Sequence, residues 1–139
     1  MVEQLVVDAS VLVASFLDHQ AHHAEALEYT RGLESGDYFF HLPRLALIET
    51  LAAVNRRAQR NQRVYVSIAK SSFEQWLADG KIVFYDLEES RTRHAVEIAL
   101  RDRLNGADAV YAALAEELGL ELKTFDQEQS QRFQGRVSS

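Results

Sequence analysis

Apolar residues along this chain fall into short runs, and the runs are separated by segments with a different period. Val2–Val7 is long enough only for a short buried strand, and Tyr38–His41, Ile82–Tyr85 and Glu121–Thr124 are runs of similar length. Between them apolar positions recur at helical spacing, as Ala95, Ile98 and Ala99 do within Ser90–Arg103. The same reading gives helices over Val11–Leu17 and Ala24–Leu33, broken near Asp18-His19-Gln20. It also gives a helix from Pro43 through Glu49 toward Arg60, another over about Val64–Ala78, and a third over Ala107–Leu118. Pro43, the single proline, suits a first helical turn. Gly36 ends the first helical unit, and Gly80 and Gly119 suit helix C-termini. A short helix follows Asp126, Arg136-Val137 adds a small edge strand, and Gly135 to Ser139 are expected to fray.

Strands of this length separated by helices imply right-handed crossovers and a parallel sheet held between helical layers. The expectation is an α/β fold, an α/β/α sandwich around a small parallel sheet of four to five strands, in one domain over residues 1–139. No linker, internal repeat or low-complexity segment interrupts it. In such sheets ligands bind outside the carboxyl ends of the strands.

Composition narrows the chemistry. The 139 residues are 47% hydrophobic and 26% charged, ordinary for a soluble globular chain. With no cysteine there is neither a disulfide nor a thiolate metal site. Glu3 and Asp8 interrupt the first apolar stretch, which argues against a signal peptide, and no run approaches the roughly 20 apolar residues of a membrane span. A cytoplasmic protein with no membrane contact is expected. A net charge of −6 argues against a protein that coats nucleic acid generally, but a nuclease with an acidic centre and a local basic strip is compatible with it.

Four acids stand where this fold would gather them. Asp8 ends the strand Leu5-Val6-Val7, Asp126 ends Leu122-Lys123-Thr124-Phe125, Asp108 opens the helix in Gly106-Ala107-Asp108-Ala109, and Glu49 lies on the face of Leu45, Ala52 and Ala53. Converging carboxylates repel and call for a divalent cation, which points to metal-dependent phosphoryl chemistry. Each acid also has a plainer reading. Asp8 and Asp126 suit helix N-caps. Asp108 suits a capping arrangement with Asn105, where a first-turn acid is favoured by the helix dipole. Glu49 suits an ion pair with an arginine, since a charge on an apolar face is costly unless paired or metal-bound. The conjunction of four favours a site. Asp86 also ends a strand, but with Leu87-Glu88-Glu89-Ser90 after it reads as a cap outside the site.

Other chemistry is thinner. His19, His22 and His23 lack the further ligands of a zinc site and read as a solvated helix start. No G-x-S-x-G elbow and no glycine-rich phosphate loop is present. Arg56, Arg57, Arg60 and Arg63 form a basic run beyond Glu49, which suits either a phosphate backbone or a solvated helix C-terminus.

These motifs resemble the PIN domain, and in size the VapC-type toxins of bacterial toxin–antitoxin pairs. The resemblance spans nearly the whole chain and rests on Val6-Val7-Asp8-Ala9-Ser10, Glu49 in its apolar helix, Gly106-Ala107-Asp108-Ala109, and Thr124-Phe125-Asp126. It implies a Mg²⁺- or Mn²⁺-dependent endoribonuclease with Asp8, Glu49, Asp108 and Asp126 as its acidic quartet. It further implies Ser10 and Thr124 as hydrogen-bonding support and a homodimer with a cognate antitoxin; the basic run makes Arg56, Arg57 and Arg60 candidate RNA contacts. One departure is Asn105, where many relatives carry an arginine. Two other readings stay open: a catalytically inactive PIN-like binding module, and a phospho-receiver domain, which would want a second acid near Asp8 and a lysine placed differently from Lys123.

Overall fold

The strand richest in aliphatic residues takes the middle of the sheet. In a computed structural model, which describes residues 1–138, β1 (Glu3–Val7) has β2 (Tyr38–Pro43) and then β3 (Ile82–Tyr85) on one side. On its other side lie β4 (Glu121–Lys123) and then β5 (Val137–Ser138). Every pairing is parallel. Leu5, Val6 and Val7 are buried, as expected of a strand covered on both faces.

The chain moves outward from β1 to β2 to β3, then returns past its start to β4. The first leg carries α1 (Ala9–Phe16), α2 (His23–Ser35), α3 (Leu45–Arg57) and α4 (Gln62–Ala78). The return carries α5 (Glu89–Asp102) and α6 (Gly106–Leu118), and α7 (Gln127–Arg132) leads to β5. Right-handed crossovers running in opposite directions put their helices on opposite faces. Accordingly α1 packs on α2 and α3, and α3 on α4, while α5 pairs with α6 and α6 lies along β1, β2 and β4. The result is the expected α/β/α sandwich. Its core joins Leu5, Phe40, Leu42, Tyr111, Leu114 and Leu122 across the sheet, and Phe16 stacks on Trp76 under α4. The order β3-β2-β1-β4-β5 is not the 2-1-3-4-5 order of receiver domains, so that alternative falls.

Several expected boundaries move. Pro43 ends β2, paired with Tyr85, rather than opening α3; at a strand end its missing N–H interrupts little of the ladder. The basic run is not one helix. Ala58 leaves helical geometry after Arg57, and Asn61, in left-handed backbone with φ of 56°, precedes α4. Val137 and Ser138 pair with β4 instead of fraying, and Ser139 lies outside the described residues. Among the described residues no helix is long and apolar enough to cross a membrane.

Candidate functional site

β1 and β4 are neighbours from which the chain leaves in opposite directions, and the crevice beyond such a pair is where open parallel sheets bind ligands. Asp8 directly follows β1, and Asp126 follows β4 after Thr124 and Phe125. From the two helical layers, α3 brings Glu49 and α6 brings Asp108 to the same place. All four carboxylates line one open cleft of about 380 Å³, with Ser10, Val13, Ala53, Arg56 and Arg57 among its walls.

Asp8 is the most enclosed of the four, at 6% exposure. Its Oδ2 accepts hydrogen bonds from Ser10 Oγ at 2.9 Å and Thr124 Oγ1 at 2.7 Å. Both hydroxyls are themselves held: Phe125 N donates to Ser10 Oγ at 3.0 Å, and Asp126 N to Thr124 Oγ1 at 2.9 Å. Gln129 Oε1 lies 3.2 Å from Thr124 Oγ1, but that hydroxyl has a single proton, and the shorter, charged acceptor takes it. Burial pushes the Asp8 carboxyl up; the two hydroxyls pull it part of the way back. Asp108 is pushed up to about 6, first by burial and then by the charges of Asp8, Asp126 and Glu49. Glu49 is also raised, by burial foremost, while a hydrogen bond from Tyr111 pulls it down and Asp8 adds to the rise. The acids therefore feel one another through the cleft.

The plainer readings resolve one by one. Asp8 occupies the N-cap position of α1, yet its side chain makes no capping bond. Asp126 does cap α7, its Oδ1 accepting from Glu128 N at 2.9 Å and Gln129 N at 3.2 Å. At α6 the cap is Asn105, whose Oδ1 accepts from Asp108 N at 2.9 Å, so the Asp108 carboxylate is not used for it. Glu49 pairs with no arginine: Tyr111 OH donates to its Oε1 at 2.7 Å. Among the described residues none of the four acids enters an ion pair.

Not every candidate reaches the cleft. Arg56 and Arg57 line it, whereas Arg60 lies beyond the end of α3 and lines a separate cavity with Asp18 and His19. Asp86 is not a cap, because Glu88 holds that position at α5; it pairs with Arg44 beside a different, largely apolar cavity. The three histidines part company. His19 contacts Gln20, His22 stacks on Phe125, and His23 donates from Nδ1 to Ala14 O at 2.7 Å. Two residues that the sequence did not single out complete the scaffold. Tyr111, one turn beyond Asp108 on α6, is fully buried and holds Glu49. Gln129, also fully buried, donates from Nε2 to the Asp108 carbonyl at 3.0 Å. Spacing from Asp108 was a signal for Tyr111; Gln129 gave none.

The donor set is of hard oxygens, which suit Mg²⁺ or Mn²⁺. Among the described residues no three acid or histidine side chains close on a single point tightly enough to enclose an ion. The arrangement is an open one, of the kind that Mg²⁺ tolerates because it retains several waters.

A model of the PIN domain matches residues 5–132. Among similar solved structures is VapC20 of Mycobacterium tuberculosis, a sarcin-ricin loop cleaving toxin, at 21% identity and a TM-score of 0.70, covering 91% of this chain and 93% of that one. PAE2754 of Pyrobaculum aerophilum is similar at 26% identity and a TM-score of 0.64, covering 98% and 88%. VapBC2 of Rickettsia felis, bound to a DNA fragment from its promoter, is similar at 13% identity and a TM-score of 0.64, covering 96% of each. No curated protein matches the chain.

Proposed function

This chain belongs to the PIN domain family, and from that premise we propose that it is an endoribonuclease dependent on Mg²⁺ or Mn²⁺, the toxin of a toxin–antitoxin pair. The observation that carries the proposal is the cleft itself: carboxylates from four separate elements line it, and among the described residues no cationic side chain is paired to any of them. Asp8 and Asp108 would hold a divalent cation directly, with Asp126 and Glu49 completing the set directly or through water. Such a cation, when bound, polarises a phosphate and eases deprotonation of a water for in-line attack. The chain's own work is positional. Ser10 and Thr124 fix the Asp8 carboxylate, Tyr111 fixes Glu49, and Asp126 is fixed by its bonds to the start of α7. Arg56 and Arg57 are the cations at the cleft wall suited to a phosphate backbone, and Arg60 lies apart from them.

The likeness to VapBC2 supports an antitoxin as partner. A homodimer is part of the same reading; Leu87, Val96 and Leu100 stand exposed on and beside α5 and offer it an apolar face.

The test is RNA cleavage by the purified protein, with Mn²⁺ or Mg²⁺ and with chelator. Cleavage should require the metal and fall by orders of magnitude in Asp8→Asn, which keeps the side-chain size and removes the charge. Cleavage that survives chelation, or full activity in Asp8→Asn, refutes the proposal. RNA binding without cleavage would mark an inactive module.

A further inference from the structure

RNA entering this cleft meets a concentration of negative charge on a chain whose net charge is already −6. Arg56 and Arg57 offset it from α3. A second feature adjoins the acids through the chain and lies outside the residues that line the cleft. Phe125 is next in sequence to Asp126, and its backbone N–H is anchored to Ser10 Oγ, the same hydroxyl that donates to Asp8. The His22 ring, at the start of α2, stacks on the Phe125 ring with centroids 4.6 Å apart and planes 25° apart. The His22 side chain is 56% exposed. Below the pair, Lys123 Nζ lies 5.3 Å from the Phe125 ring and is fixed by Glu25 at 3.1 Å. The stack is therefore exposed at His22, and at Phe125 it is tied through the backbone to Asp126 and through Ser10 Oγ to Asp8.

We propose that the His22–Phe125 stack is a platform on which a base of single-stranded RNA lies, holding the nucleotide next to the scissile phosphate. The proposal rests on the nuclease reading and deepens it. The physical reason is charge. A phosphate contact here would need exposed cations, and Lys123, the cation lying against the Phe125 ring, is buried and already paired with Glu25. Base stacking needs none, because every base has an apolar face whatever the local potential. Single-stranded RNA is commonly held by stacking its splayed bases on Phe, Tyr, Trp or His rings. Such a contact tolerates many sequences, so it positions more than it selects.

The experiment measures binding of a short single-stranded RNA oligonucleotide in the Asp8→Asn background, where the RNA should stay intact. An abasic residue is moved along the oligonucleotide, and 2-aminopurine fluorescence reports stacking. At one position, removing the base should weaken binding by roughly tenfold and abolish the quenching. In His22→Ala the affinity should already be lower by a similar factor, and removing that base should cost little more. His22→Phe should restore the base dependence. A merely structural His22 would lower binding without changing the dependence on that base. If His22→Ala keeps the full base dependence while wild type cleaves RNA, the platform is refuted and the nuclease reading stands. If the His22-dependent base effect appears but wild type never cleaves, the nuclease reading alone fails. If no RNA is bound or cut in Mn²⁺, both fail.

Discussion

Asp108→Asn weighs the repulsion among the acids directly. Its carboxyl is lifted from 3.8 to about 6, first by burial and then by Asp8, Asp126 and Glu49. A lift of that size corresponds to about 3 kcal/mol. Asp108 is partly exposed, and solvent screening reduces the usable part to about 1 to 2 kcal/mol. The sign follows from proton binding. With the folded pKa above the unfolded one, the metal-free fold holds more protons through the interval from 3.8 to about 6, so stability falls as pH rises through it and returns as pH drops. Asn has similar shape and no charge at any pH, so the variant keeps what wild type loses. In chelator at neutral pH it should be more stable by about 1 to 2 kcal/mol, roughly 3 to 6 °C in melting temperature for a chain of this size. Its stability should also depend less on pH above about 5, where the lowered carboxyls Asp102 and Glu116 do not yet titrate. Some slope should remain, since Asp8 and Glu49 are raised as well. The assay is urea or thermal unfolding in chelator between about pH 5 and 8, repeated with Mn²⁺, which should stabilise wild type more than the variant. A variant less stable than wild type in chelator, with an unchanged pH slope, would mean that the acids do not repel as described.

Two further substitutions probe residues that support the site. Tyr111→Phe removes the 2.7 Å bond to Glu49 while keeping the buried ring, so the Glu49 carboxyl should rise further and the acid limb of the cleavage profile should move to higher pH; an unmoved profile would free Glu49 from the chemistry. Thr50→Val replaces a fully buried hydroxyl that has no hydrogen-bond partner with a methyl of the same shape, and should raise stability by about 1 kcal/mol in a denaturation assay. A loss of stability there would mean that Oγ1 has a partner in solution.

What was legible in the sequence divides along a physical line. The alternation of strands and helices follows from local periodicity, and the acids stood out because four of them fall where such a fold would gather them. Features that depend on tertiary approach left less: spacing from Asp108 pointed at Tyr111 but not at its partner, and nothing pointed at Gln129. Tyr111 holds Glu49 across 62 positions of sequence, and Gln129, on α7, donates to the Asp108 carbonyl on α6. Local geometry also overrode the reading twice. Pro43 closes β2 because its partner Tyr85 draws it into the sheet, and Arg60 leaves the arginine group because Ala58 ends the helix that composition alone would have continued.

The caps show how the plain readings of Asp8 and Asp126 came apart. A carboxylate has two oxygens, and this fold assigns them separately. Asp126 gives Oδ1 to the start of α7, and no other residue's hydrogen bond falls on Oδ2 among the described residues. Asp8 stands where a cap of α1 belongs, in extended backbone, and yet makes no capping bond, while Ser10 and Thr124 both donate to its Oδ2. A helix that forgoes an available cap loses about 1 kcal/mol, a cost unexplained by stability alone. The same hydroxyls hold Asp8 close to Asp126 and Asp108, where their charges oppose. Local preference and global structure thus disagree at one place in the chain, and such disagreement is expected where function, not stability, sets the arrangement. Here the position of the disagreement, at the junction of β1 and β4, is also where the sheet topology puts a ligand.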